Sequence, residues 1–160
     1  MISQNHMAKI NDKVKDIFQY LTDDHRKISA VLEGLVDIAH DSEEAREQMF
    51  DELDSILSLH AELEEATLYP ALEEKPDMED MISRFKGEHE EVKSLLEELR
   101  ITDKDSGEWL LKLIELRESV GHYVEEEEEI EGLFEQAQEV LSIGEEEEIR
   151  KNMEEFLSGE

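Results

Sequence analysis

Two short stretches of this sequence have the residue types and spacing of a metal site. His60 precedes Glu64, and His122 precedes Glu126, with the same H-x-x-x-E spacing. Residues four apart on an α-helix lie on the same face, so each pair can direct an imidazole nitrogen and a carboxylate to one point. Such nitrogen and oxygen donors suit transition-metal ions. Two pairs that face each other across a helical bundle therefore predict a pocket for two metal ions.

Either pair alone is a weak signal, because 46 of the 160 residues are acidic and a Glu follows many residues at this spacing. A single histidine on an apolar helix face is usually a hydrogen-bonded core residue rather than a metal ligand. The metal interpretation is stronger because His25 and His89 also lie on or beside apolar stripes. Four imidazoles and two carboxylates in one buried layer would destabilise the fold unless they bound a cation.

The composition indicates a helical protein of one domain. The chain has 160 residues, only seven Gly and two Pro, and no Cys. This usage favours long helices and excludes disulfides, thiolate metal sites and Cys nucleophiles. A net charge of −30 disfavours nucleic acid and anionic membranes as partners. Since there is also no membrane-spanning apolar run and no secretory signal pattern, we expect a cytoplasmic protein.

The apolar pattern predicts an all-α, up-down-up-down four-helix bundle with a short N-terminal arm or helix and a short C-terminal helix. We expect residues 1–8 to be disordered or foreign to the natural chain, 9–144 to form the bundle, and 145–160 to pack on it as an amphipathic helix. The predicted helices span 9–21, 23–40, 42–74, 78–100, 107–141 and 145–158. The stripe predicted for the fourth long helix is Leu110, Leu111, Leu113, Ile114, His122, Glu126, Ile130 and Leu133.

Simple arithmetic supports one common layer of histidines. In an up-down bundle, residues at equal distance from a turn lie at the same height on neighbouring helices. The breaks near residues 42, 75 and 105 lie about midway between the successive members of the series His25, His60, His89 and His122. One histidine from each long helix is thus expected at the same level of the core.

These motifs resemble the hemerythrin-like, HHE cation-binding domain. The matching pieces are Leu21–Ile28, His60–Pro70, Glu88–Val92 and His122–Glu126, and the H-x-x-x-E-E…L-Y-P piece is the most specific. The resemblance covers about residues 10–140. It implies a left-handed four-helix bundle around a non-haem di-iron centre, in which manganese or zinc could replace the iron.

The resemblance also implies roles for individual residues. The terminal nitrogen ligands would be His25, His60, His89 and His122. The carboxylates of Glu64 and Glu126 would bridge the two iron ions together with an oxo or hydroxo group. Glu127 is the alternative to Glu126, because both belong to the run 125–129 of five glutamates. Glu65 and Glu125 are expected to accept hydrogen bonds from imidazole N–H groups.

The sequence departs from the oxygen-carrying members of that family at one position. Those members are expected to have a fifth histidine, from an H-x-x-x-H pair on the third helix. Here Phe85 and Lys93 lie four residues before and after His89. The site thus has four histidines and two glutamates unless another group such as Glu118 joins it, which argues against simple reversible carriage of O₂.

The expected function is binding of O₂ or NO at the di-iron centre for sensing, storage or scavenging. The alternative is a di-iron enzyme that decomposes peroxide or supplies iron for iron–sulfur cluster repair, and the sequence leaves open whether there is turnover. A metal-free acidic interaction bundle is a third hypothesis. The expected partners are O₂, NO or peroxide, with no nucleic acid and no membrane, and the chain is expected to be a monomer or weak dimer.

Overall fold

The computed structural model describes residues 14–38 and 42–159. These ranges contain helices and turns but no β-strand, which confirms the prediction of an all-α protein. The helices are α1 Ile17–Asp37, α2 Glu43–Leu63, α3 Tyr69–Glu73, α4 Glu79–Ile101, α5 Gly107–Glu128, α6 Leu133–Val140 and α7 Ile143–Ser158, and a π-helical turn, Glu64–Leu68, joins α2 to α3. Within the same ranges, no helix has the length and apolar character needed to span a membrane.

Short polar side chains begin several of these helices. Asp16, Ser42, Ser106 and Ser142 each accept a hydrogen bond from a backbone N–H in the first turn of α1, α2, α5 and α7. Such a cap stabilises a helix by about 1 kcal/mol. Because α1 begins at Ile17, part of the predicted N-terminal helix is the first turn of α1. Residues 1–8 and the start of that predicted helix lie outside the described residues.

The four longest described helices pack side by side in a bundle. Helix α1 contacts α2 and α5, and α4 also contacts α2 and α5. Their apolar faces form two clusters. The Phe85 cluster includes Leu21, Leu63, Phe85 and Leu133, and the Trp109 cluster includes Ile28, Leu57, Val92, Trp109 and Tyr123.

A polar layer separates the two clusters. Three long helices pass from one cluster to the other at a buried histidine, His25, His60 or His89, and α5 leaves the Trp109 cluster and ends beside the buried Glu127. Because apolar side chains lie on both sides of this layer, its polar atoms have little access to water. Such groups destabilise the fold unless they find partners within the layer.

The fourth long helix is shorter than the sequence predicted. The prediction was one helix over 107–141, but α5 ends at Glu128 and α6 begins at Leu133. Glu131 has a φ of 64°. At Gly132 an added Cβ would overlap the carbonyl oxygen of Glu126, so only glycine is accommodated there without a shift. This tight turn folds α6 back against α5 and brings Leu133 into the Phe85 cluster.

Helix α7 lies against the outside of the bundle, where it contacts α1, α2 and the π-helical turn. It also holds the start of the described chain. The backbone N–H of Val14 donates to Glu154, and Arg150 donates to the carbonyl oxygen of Val14. Val14 itself is buried in the Phe85 cluster.

Candidate metal centre

Five buried side chains with nitrogen or oxygen donors meet in the polar layer. We call them the inner group: His25, His60, Glu64, His89 and Glu127. Their exposed fractions are 3%, 1%, 0%, 5% and 0%. For all of them except His89, one donor atom per residue can be chosen so that the four atoms lie within 4.8 Å of one another. The structure thus brings together four of the six predicted ligands and adds Glu127.

The imidazole nitrogens of the inner group lie close to its carboxylate oxygens. Nε2 of His25 lies 2.9 Å from Oε1 of Glu127. Nε2 of His60 lies 3.6 Å from Oε1 of Glu64, and Nε2 of His89 lies 3.1 Å from the same oxygen. All three imidazoles therefore direct Nε2 toward the two carboxylates.

Several of these atoms lack hydrogen bonds. Among the described residues, nothing forms a hydrogen bond to Nε2 of His25, Nε2 of His60, Oε2 of Glu64 or Oε1 of Glu127, although all four atoms are buried. His25 and Glu127 are close, but their atoms lack the angles of a hydrogen bond. Each unsatisfied buried group destabilises a protein by about 1–3 kcal/mol. A metal ion would satisfy several of them at once, so the inner group fits the cation that the sequence predicts.

The opposite ring nitrogen of each imidazole is held by an outer carboxylate. Nδ1 of His60 lies 3.1 Å from Asp24, Nδ1 of His89 lies 2.7 Å from Glu65, and Nδ1 of His25 lies 2.5 Å from Glu128. Carboxylates in this position fix the ring orientation and leave Nε2 as the metal-binding atom. Of the two outer carboxylates expected from the sequence, Glu65 takes this role.

The remaining outer carboxylates were not expected. Asp24 and Glu128 each sit next to a residue of the inner group in sequence, but they bind histidines on other helices. Glu125, the other expected partner, is exposed. Adjacent acidic residues around a predicted ligand are the signal that could have drawn attention to these positions.

The charges of the inner group are strongly coupled. Burial acts to raise the pKa of Glu64, but His60 and a hydrogen bond with His89 outweigh it and bring the pKa to about 2. Burial and the negative charge of Glu64 raise the pKa of Glu127 well above its ordinary value. Burial acts to lower the pKa of His89, but its hydrogen bond and charge interaction with Glu64 raise it to about 9. Without a cation, protons thus neutralise part of the inner group.

The structure places the other predicted pair, His122 and Glu126, outside the inner group. The side chain of His122 is 63% exposed and lies 3.2 Å from Glu126. Together with Glu88 they form an outer group. Arg84 lies 3.0 Å from Glu126. Burial and a hydrogen bond to Glu126 raise the pKa of Glu88 to about 7.

The buried face of α5 explains this placement. Its buried residues are Trp109, Leu113, Leu116, Val120, Tyr123 and Glu127, with alternating spacings of four and three. His122 precedes Tyr123 by one residue, which turns it about 100° away from the core. The predicted stripe instead ran through Leu111, which is 70% exposed. This alternating spacing is the signal in the sequence that favours Glu127, but a second apolar side of the same helix competes with it.

An internal layer of imidazoles and carboxylates within a helical bundle is typical of metal-binding bundle proteins. Comparison with known families agrees with this class. The Hemerythrin HHE cation binding domain matches residues 16–137, about three quarters of the chain. The chain therefore belongs to this family, which confirms the resemblance found in the sequence. No curated protein matches the chain.

Proposed function

We propose that the inner group binds two iron ions and that the protein uses them to bind O₂ or NO for sensing, storage or scavenging. The observation that carries this proposal is that two carboxylates are shared between two sets of donors. Oε1 of Glu64 lies 3.6 Å from Nε2 of His60 and 3.1 Å from Nε2 of His89. One carboxylate oxygen can thus serve both sides of the centre.

Glu127 is shared in a similar way. Its Oε1 lies 2.9 Å from Nε2 of His25, and its Oε2 lies 3.3 Å from the hydroxyl of Tyr69. In this proposal Glu64 and Glu127 would be the carboxylates that the two ions share, and His25, His60 and His89 would each supply a nitrogen ligand. Glu127 takes the bridging role first expected of Glu126. The exposed position of His122 leaves that histidine out of the proposed set.

Iron bound by the inner group would supply the capacity to bind and reduce a small oxidising ligand. Manganese or zinc could bind to the same donor atoms. The chain itself supplies positioning and exclusion of water. The outer carboxylates Asp24, Glu65 and Glu128 hold the imidazoles in place. The two apolar clusters keep bulk water away from the charges, which strengthens each interaction within the layer.

The size of a cavity beside the centre favours a small ligand. Between α2 and α4 there is a cavity of about 150 Å³ whose lining includes Leu57, Ala61, Glu65, His89 and Lys93. This cavity therefore touches one residue of the inner group, His89. Diatomic molecules and peroxide are small enough for such a route, whereas a large substrate would need a wider opening.

The proposal includes the up-down-up-down order of the four long helices. Along the chain, α1 runs from the Phe85 cluster to the Trp109 cluster, α2 runs back and α4 repeats the direction of α1. Helix α5 starts in the Trp109 cluster and ends at the polar layer, and the chain enters the Phe85 cluster again at Leu133. We also propose that the described part of residues 9–144 forms the bundle as one unit, and that the chain acts as a monomer or weak dimer in the cytoplasm.

The test is the metal content of protein purified without added metal, and again after anaerobic loading with ferrous iron. We expect two iron ions per chain and a visible spectrum that changes when air or NO is admitted. Peroxide consumption by the loaded protein separates the alternative enzymatic function from simple binding. A chain that takes up no iron would contradict the proposal.

A further inference from the structure

Tyr69 is a buried phenol whose hydroxyl touches the inner group. Its exposed fraction is 0%. The hydroxyl oxygen lies 3.3 Å from Oε1 of Glu64, 3.3 Å from Oε2 of Glu127 and 3.4 Å from Nε2 of His89. Building on the proposed two-metal function, we infer that Tyr69 is a protein ligand of the metal ion on the His89 side and binds it through the phenol oxygen.

The backbone is shaped to bring this residue to the centre. In a regular α-helix, Tyr69 would lie about 140° around the axis from Glu64, five residues earlier. The π-helical turn Glu64–Leu68 widens the helix here, and the backbone N–H of Tyr69 donates to the carbonyl oxygen of Glu64. The wider turn brings Tyr69 back over Glu64. Such π turns within helices frequently occur at functional sites.

Proline strengthens this local structure. Pro70 has no N–H to donate, and its ring would clash with a carbonyl oxygen in a regular α-helix. The π-helical turn immediately before it relieves that conflict, since the hydrogen bonds there span five residues. The sequence thus favours the widened turn at the position that directs Tyr69 inward.

The distances around Tyr69 are suitable for donors to one ion. Four pairs among Tyr69, Glu64, His89 and Glu127 are separated by 3.1, 3.3, 3.3 and 3.4 Å. Ligand atoms with bonds of about 2.1 Å lie about 3.0 Å apart at right angles and about 3.4 Å apart at tetrahedral angles. The hydroxyl of Tyr69 therefore lies at ligand spacing from each of its three neighbours.

Tyr69 also supplies what the His89 side otherwise lacks. The rings of His25 and His60 lie 4.9 Å apart and their nitrogens belong to one set of close donor atoms, whereas His89 lies outside that set and is the one imidazole of the inner group on its own side. The ring of Tyr69 stacks on that of His89, with centroids 5.5 Å apart, which fixes both. When the phenol oxygen binds the metal, the O–H bond breaks and its proton is released to solvent.

The experiment is the visible and resonance Raman spectrum of protein loaded with ferric iron. A phenolate bound to ferric iron gives a charge-transfer band, and excitation in that band enhances the ring vibrations of tyrosinate. We expect both signals in the natural protein and in Tyr123→Phe, and neither in Tyr69→Phe. Tyr123 is a matched control because it is equally buried and lies edge-on to His25 and His89.

Iron content, measured on the same samples, separates the two proposals. Natural protein with two iron ions per chain but no tyrosinate vibrations would overturn the role of Tyr69 and leave the two-metal function intact. Natural protein without iron would overturn both. Persistence of the band in iron-loaded Tyr69→Phe would assign it to another residue. If that variant fails to fold, the Raman spectrum of the natural protein still decides, because absent tyrosinate vibrations overturn the inference.

Discussion

Two pairs with the same H-x-x-x-E spacing have opposite surroundings in this molecule. His60 and Glu64 have side chains that are 0% exposed, whereas those of His122 and Glu126 are 63% and 20% exposed. The first pair faces two other imidazoles and a second carboxylate, and the second pair faces Glu88 and Arg84. Spacing places two residues on one face of a helix, but packing decides whether that face is buried.

The two groups also differ in how their charge is balanced. Arg84 lies within ion-pair distance of Glu126 in the outer group, so a cation of the protein already offsets the carboxylate. The inner group has no Lys or Arg ion pair among the described residues, and its carboxylates are neutralised by protons and imidazoles. A metal ion can replace those protons, whereas it would be repelled by Arg84. We therefore expect changes in the inner group to alter metal binding far more.

The largest expected effect compares His60→Ala with His122→Ala. Loss of His60 removes a buried nitrogen ligand. Metal affinity should fall at least ~100-fold, which is more than the loss expected on removing a carboxylate that only holds an imidazole in place. Loss of the exposed His122 should change it less than about threefold. Anaerobic competition with a chromogenic chelator measures both, with circular dichroism to check folding. Equal losses in the two variants would place His122 in the centre after all.

The second comparison is Glu127→Gln against Glu126→Gln. Glutamine keeps the shape of the side chain but removes the negative charge that would bridge two cations. We expect about 100-fold weaker metal binding for Glu127→Gln, since a carboxylate is the better ligand for hard cations. Glu126→Gln should change metal binding only slightly. The same chelator competition applies. A larger loss in Glu126→Gln would restore the residue first expected from the sequence.

A smaller effect is expected for the outer carboxylates. Asp24→Asn weakens the support of the His60 ring without removing a ligand, so affinity should fall about 10-fold. Asp23→Asn is the matched control, because Asp23 is exposed and pairs with Arg26 on the surface. Iron binding by both variants can be measured by titration calorimetry. No difference between them would show that Asp24 does not support the centre.

The smallest effect concerns the stability of metal-free protein. The folded-state pKa of Glu127 lies above its ordinary value of 4.5, mainly because of burial. The folded form therefore holds a proton more tightly than the unfolded form. The contribution of Glu127 to the free energy of unfolding therefore falls as pH rises above about 4.5. Glu127→Gln removes this penalty and should raise the melting temperature at pH 7 by roughly 2–6 °C.

This prediction has a built-in control, since Glu127→Gln should stabilise metal-free protein while weakening its metal binding. The gain should vanish near pH 4, where both states hold the proton, and Glu126→Gln should show little gain at either pH. Calorimetric melting at both pH values, with a chelator present, measures these differences. A lower melting temperature for Glu127→Gln at pH 7 would contradict the raised pKa of Glu127.

Much of the site could be predicted because three helices have one clear apolar face. His25, His60 and His89 each lie on such a face, and the breaks between the helices place them at one level. The buried face of α5 was harder to predict, because Leu110, Leu111 and Ile114 offer a second apolar side. In addition, five glutamates follow Val124. Local periodicity alone could not choose between two faces of similar composition.

The sequence by itself determined the helical class, the family and the pairing of His60 with Glu64, because these depend on composition and on residues one helical turn apart. The tertiary structure decided what depends on neighbouring helices. It selected Glu127 over Glu126 by burying the Tyr123 face of α5. It also brought Asp24, from a different helix, to the ring of His60. Burial and contacts between distant segments are properties of the packed bundle, so no local pattern could specify them.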